Sequence, residues 1–188
     1  SGISEVGSIF KTITLAGSLD AGAVTMTDTF DARFGVRFGR YTISDFRGKN
    51  RILSLPEVFK YSSNIGTIRV MQAMGTDNFR AFLSTMGLDR RVPFELPAMR
   101  LPSVKASFSE VEAATASFGH GLSVSLLHMA AAYSAIANGG NYVAPTLYKR
   151  EMAEAEGIYQ RVLAPETSAN TRYLLRLNLE RDRRFVVV

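Results

Sequence analysis

The 188-residue, 20.6 kDa chain is long enough for one domain with its own core, or slightly less than one large domain. Hydrophobic residues make up 46% and charged residues 21%, an ordinary globular composition that excludes intrinsic disorder. The net charge is +5, but the arginines scatter from Arg33 to Arg100 without a basic run interleaved with aromatics, so no nucleic-acid partner is expected.

Cysteine is absent, which removes disulfide, thiolate and Cys–metal chemistry. His120 and His128 are the two histidines, so a His-rich metal site is not expected, and no cofactor is expected. No leader peptide is recognisable at the start. The longest apolar stretch, Leu122 to Ala137, is interrupted by His128 and serines and falls short of a span, so the chain as written reads as soluble.

In chain order, Gly7-Ser8 runs at once into a helical pattern in which Ile9, Phe10, Ile13, Ala16 and Leu19 recur, closed by Asp20-Ala21-Gly22. Residues 24–50 read as short strands and turns, with Val36, Phe38 and Ile43 among Gly and Arg. Ser54 and Glu57 around Pro56 form a capping box for a second helix. A third is predicted from Thr76 to Met86, ending at Gly87. Pro93, Pro97 and Pro102 mark 88–107 as a loop, and Ser109 with Glu112 opens a short helix. Ser125 to Asn138 is apolar on nearly all sides and stops at Gly139-Gly140, which predicts a helix buried mid-domain. Tyr142–Arg150 and Ile158–Leu163 read as a strand pair, Glu166 to Leu179 as an amphipathic helix, and Arg181–Val188 as a final strand. The whole is a mixed α/β arrangement in which helices outnumber strands.

Ser8-Ile9-Phe10-Lys11 is an S-x-x-K tetrad where a helix should begin. A serine in a first turn has backbone N–H groups and the positive end of the macrodipole nearby, which favours a developing oxyanion. Lys11 follows on the same face within reach of the hydroxyl, and its apolar neighbours would lower its pKa and make it a base. A serine cap with a lysine on the next turn is commonplace, so the tetrad alone defines nothing. Thr146-Leu147-Tyr148-Lys149 is a near-match in a strand-like segment and is set aside. Ser62-Ser63-Asn64 supplies an S-x-N at another helix, where a hydroxyl can relay a proton and a carboxamide can hold a substrate amide. The other S-x-N, Ser168-Ala169-Asn170, reads as a helix start.

S-x-x-K followed some fifty residues later by S-x-N matches two of the three signatures of penicillin-recognising serine enzymes. The likeness is wider than motifs. Gly7–Lys11 with Leu15–Asp20 resembles the nucleophile helix of class B penicillin-binding proteins, and Leu55–Phe59 through Tyr61–Thr67 resembles their second-motif helices. Ser117–Ser125 and Ala132–Gly140 are similar to their Gly turn and buried helix. The resemblance spans roughly residues 5 to 179 and points to septal, cell-division peptidoglycan transpeptidases of Gram-negative bacteria.

That resemblance implies a transpeptidase or serine β-lactamase-like fold, a helical subdomain plus part of an antiparallel sheet, in a single partial domain over 1–188. The nucleophile helix would cover about 8–21, the second-motif helices about 55–74 and the buried helix about 125–138. It implies a D,D-transpeptidase that joins peptidoglycan stem peptides and is acylated by β-lactams, with Ser8 attacking the D-Ala–D-Ala carbonyl. Lys11 would take the Ser8 proton, Ser62 would pass a proton to the leaving nitrogen, and Asn64 would bond the substrate backbone and orient Lys11. Ser63, Gly119, His120 and Gly121 would line the substrate site. Divisome proteins and the periplasmic face of the inner membrane are the partners and place implied for the parent protein.

The family's third motif, K-[ST]-G, is missing: none of Lys11, Lys49, Lys60, Lys105 and Lys149 is followed by Ser/Thr-Gly. Family spacing puts it just past residue 188, so the expectation is a truncated domain with weak or no turnover on its own, because that strand carries half the oxyanion hole. Two alternatives stay open. One is a hydrolase of the same superfamily, a carboxypeptidase or β-lactamase, although Glu166 sits at a helix start and not in the loop a deacylating glutamate needs. The other is a non-catalytic module that kept the fold. His128 reads as a core histidine bonded to a backbone carbonyl, and His120 as structural or lining the cleft floor.

Overall fold

The computed structural model describes residues 2–95 and 100–180, with Ala155 described by its backbone alone. The expected strand over 181–188 therefore lies outside the described residues, as does Pro97 of the proline loop.

The chain enters through a 3₁₀ turn, Gly7–Phe10, that runs straight into α1 (Lys11–Asp20). The tetrad therefore straddles a junction: Ser8 sits on the tighter turn, and the α-helix begins only at Lys11. Phe10 and Ile13 are fully buried and anchor that turn, leaving Ser8 and Ile9 facing outward. Burying side chains of this size is worth roughly 1.5–3 kcal/mol each. Every residue from Lys11 to Ser18 is buried, so α1 is the central helix.

Four short strands follow. β1 (Thr29–Asp31) pairs antiparallel with β4 (Ile52–Ser54), Phe30 opposite Leu53. Between them β2 (Val36–Phe38) and β3 (Tyr41–Ile43) close a hairpin, Val36 opposite Ile43. α2 (Leu55–Lys60) starts on the Ser54/Glu57 box, with the Glu57 carboxylate accepting from the Ser54 N–H at 3.1 Å. α3 (Asn64–Met74) and α4 (Thr76–Thr85) pack on α1. Gly17 makes the α1–α4 approach possible, since a Cβ there would lie 2.4 Å from the Phe82 ring. α5 (Glu110–Ser117) is capped by Ser109 and Glu112.

α6 (Leu126–Ala137) corrects the expectation of a helix buried on all sides. His128, Met129, Ala132, Ala135 and Ile136 face the core, whereas Leu126, Ala130, Ser134 and Ala137 form an exposed stripe. Alanine explains the difference: it is apolar enough to erase the amphipathic signal and small enough to sit in water at little cost. The expected long strand pair shrinks to two-residue β5 (Asn141–Tyr142) and β6 (Gln160–Arg161), with α7 (Met152–Gly157) between them. Pro145 cannot donate to a ladder, and the Met-Ala-Glu-Ala-Glu run that follows favours a helix. α8 (Pro165–Glu180) closes against α1, α2 and α6. Among the described residues no helix is long and apolar enough to cross a membrane.

Candidate active site

Ser8 is exposed and lines two adjoining cavities. The larger, about 440 Å³, is shared with Asp45, Phe46, Arg47, Lys49, Tyr61, Ser62 and Asn64. The smaller, about 240 Å³, brings Lys11, Thr12 and Tyr133 to the same serine. Ser8 and Ser62 line both cavities, with Asn64 beside them in the larger and Lys11 in the smaller, so the structure brings these four candidates to one region from two distant stretches of chain.

Lys11 is only 2% exposed, and its ammonium donates to the Ser62 carbonyl at 2.5 Å and the Ser62 hydroxyl at 2.9 Å. Burial pulls its pKa down to about 8, with the Asp45 carboxylate pushing partly the other way. A neutral amine carries two N–H donors and one lone pair. With both donors spent on Ser62, the lone pair is left for a neighbouring proton.

The Ser62 backbone makes this possible. α2 ends in a Schellman pair, Ser62 N–H to the Phe59 carbonyl and Ser63 N–H to the Val58 carbonyl, each at 3.0 Å. The first of these two donors must adopt left-handed backbone, and glycine is usual there. Here it is Ser62, at φ +52°. A non-glycine residue in that region costs on the order of 1–2 kcal/mol. The strain places carbonyl and hydroxyl together over Lys11.

Asn64 donates to the Ser44 carbonyl at 3.5 Å, so orientation of Lys11 falls to Ser62 and not to the amide. Ser63 is a correction. It is 2% exposed, and its hydroxyl accepts from the Gly66 N–H at 2.9 Å and donates to Asp45 at 2.7 Å. It caps α3 and clamps the 44–50 loop instead of meeting substrate.

The Gly turn braces Ser8 from behind. Gly119, at φ +86°, accepts from the Gly7 N–H at 3.1 Å, and a Cβ there would fall 2.1 Å from the Gly7 carbonyl oxygen. The Gly121 N–H donates to Glu5 at 2.8 Å, and Ser4 and Val124 exchange backbone bonds. His120 is exposed with its ring 5.1 Å from Phe118, and it lines neither cavity at Ser8. His128 is a buried core histidine: Nε2 donates to the Arg90 carbonyl at 2.9 Å and Nδ1 accepts from the Ser125 hydroxyl at 2.6 Å. Burial lowers its pKa. Ser168 is buried in α8 against the Ile136 carbonyl, and Thr146–Lys149 lies in a loop.

Two contributors escaped the sequence reading. Asp45 accepts from the Ser63 hydroxyl and, at 3.0 Å, from the Ile65 N–H, stapling its loop to the start of α3. The Tyr133 hydroxyl donates to the Ile9 carbonyl at 2.8 Å and meets the Thr12 hydroxyl at 2.7 Å, tying α6 to the Ser8 turn. A polar aromatic inside an alanine-rich helix is the one signal that could have found Tyr133; Asp45 carried none.

A serine on a tight turn, a desolvated lysine behind it and a hydroxyl from a separate interhelical turn are the constellation of active-site-serine acyl-transfer proteins. The penicillin binding protein transpeptidase domain model matches residues 2–184, and the chain belongs to that family. It is 35% identical over 94% of its length to a probable peptidoglycan D,D-transpeptidase FtsI of Caulobacter vibrioides, and 31% identical over 95% to the penicillin-binding protein PbpB of Mycolicibacterium smegmatis. It spans about 30% of the length of these curated relatives. Among solved structures it resembles the apo TP domain of Burkholderia pseudomallei penicillin-binding protein 3, with a TM-score of 0.87 and 28% identity, covering 94% of this chain and 54% of that one. Penicillin-binding protein 3 of Mycobacterium tuberculosis, solved with aztreonam, gives 0.85 at 25% identity, covering 98% and 44%.

Proposed function

We propose that the protein carrying this chain is a peptidoglycan D,D-transpeptidase that forms a Ser8 acyl-enzyme with stem peptides ending in D-Ala–D-Ala and is acylated there by β-lactams. The observation that carries this reading is the buried Lys11 amine, held by two bonds to Ser62 in the cleft that Ser8 lines.

The Ser8 Oγ attacks the carbonyl carbon, and its proton passes to the Lys11 lone pair. The tetrahedral intermediate collapses with cleavage of the C–N bond. The leaving nitrogen takes a proton through the Ser62 hydroxyl, which is free to donate because it accepts from Lys11. An amine of a second stem peptide then attacks the Ser8 ester, forming the new C–N bond as the C–O bond to Ser8 breaks, and the proton lost by the amine returns to the Ser8 oxygen by way of Lys11. Among the candidates, Asn64 remains the group for the substrate amide, at the mouth of the larger cavity. The kinship with a relative named FtsI supports a role in division, with divisome partners and a place on the periplasmic face of the inner membrane.

Fluorescent penicillin tests this. Covalent label that persists for hours and disappears in Ser8→Ala supports the transpeptidase. Rapid loss of label would favour a hydrolase, and a folded protein that never labels would leave a non-catalytic module.

A further inference from the structure

The larger cavity beside Ser8 has a charged rim. Arg47 and Lys49 line it together with Asp45, all on the 44–50 loop. That loop is pinned: Asp45 accepts from the Ser63 hydroxyl and the Ile65 N–H, and the Ser44 carbonyl accepts from Asn64. The single carboxylate in the cavity wall is thus turned inward and spent on the start of α3. The two cations are not spent. Arg47 lies over the Phe46 ring at 5.7 Å and Lys49 over the Tyr61 ring at 4.7 Å. Neither has a carboxylate partner among the described residues, whereas nearby Arg33 and Arg51 pair with Asp31 and Glu57. An aromatic face restricts where a cation sits without neutralising its charge. The result is two oriented, uncompensated positive groups lining the cavity that Ser8 also lines.

We propose that this rim selects acyl donors carrying an anionic group close to the scissile bond, with Arg47 and Lys49 as the groups that read it. The ligand class is a peptide with a carboxylate on the donor side of the reacting carbonyl. The inference rests on the acyl-transfer reading above and deepens it.

The test uses two thioester donors that differ only in a side-chain carboxylate against its carboxamide, with acylation of Ser8 followed by intact mass. Exposed charge pairs are each worth little, so the carboxylate donor should react roughly fivefold faster at low salt. That ratio should fall as salt is raised, and in Arg47→Gln/Lys49→Gln it should approach one. A ratio near one in the unmodified protein, or an advantage that survives both high salt and the double substitution, overturns the proposal. Label from fluorescent penicillin on the same sample separates the failures: label present with no donor preference sinks this inference alone, and no label with no acylation sinks the acyl-transfer reading with it.

Discussion

The Lys11 ammonium donates to both the carbonyl and the hydroxyl of Ser62, 51 residues away, and Ser62 reaches it only from a left-handed backbone at φ +52°. Local stability has been exchanged here for a chemical arrangement, since the helix cap that Ser62 occupies would be more stable as glycine.

That exchange can be measured. Ser62→Ala keeps the strain and loses the hydroxyl, whereas Ser62→Gly loses the hydroxyl and relieves the strain. By thermal or urea unfolding, the glycine variant should be more stable than the alanine variant by about 1 kcal/mol. Both should lose penicillin acylation by orders of magnitude. Equal stability of the two variants would remove the strain argument.

The pH profile reports Lys11. Its amine is the base only when neutral, so acylation should rise about tenfold per pH unit up to about 8 and then level. Asp45 raises the Lys11 pKa, so Asp45→Asn should move the rising limb to lower pH. A variant damaged only structurally would lower the whole curve without moving it. Stability follows with the opposite emphasis. Between the folded value of about 8 and the ordinary 10.5, the unfolded chain binds more protons, so stability rises with pH across that window. The lysine's share of that rise is on the order of 3 kcal/mol, complete once pH exceeds the unfolded value.

Gly119→Ala should be costly for two separate reasons. The position has φ +86°, and the added methyl would sit against the Gly7 backbone, which cannot rotate away as a side chain could. A loss of at least about 2 kcal/mol in unfolding free energy is expected. Because Gly7 precedes Ser8, slower acylation should accompany it. An alanine variant with unchanged melting and labelling would show that the brace is not needed.

Tyr133→Phe removes a hydroxyl that holds the Ile9 carbonyl and meets Thr12. The stability cost should be about 1 kcal/mol, the usual value of one such bond. The acylation rate constant should fall several-fold while initial binding of the β-lactam changes little, because Tyr133 aims the Ser8 turn. A change in binding with the rate constant intact would argue against that role.

Much of this site was legible in the chain. The S-x-x-K tetrad, the S-x-N and the capping residues Ser54, Glu57, Ser109 and Glu112 are local chemistry, and local chemistry survives without coordinates. The helices α1 and α8 followed from periodicity, whereas the burial of α1 on all its faces did not. α6 misled because alanine weakens the pattern that separates a core face from a wet one. The 142–163 strands misled because Pro145 and a short helical run outweigh alternating hydrophobicity.

What the chain by itself determined was which residue types stand close along the sequence: Ser8 one turn before Lys11, and Ser62 two residues before Asn64. Only tertiary structure decided who meets whom across the fold. It gave Lys11 to Ser62, turned Ser63 inward onto Asp45, and set Gly119 against Gly7. The reason is physical. Spacing along a helix is set by its 3.6-residue period, whereas contacts between distant segments are set by which surfaces the buried core brings together, and no local pattern encodes that.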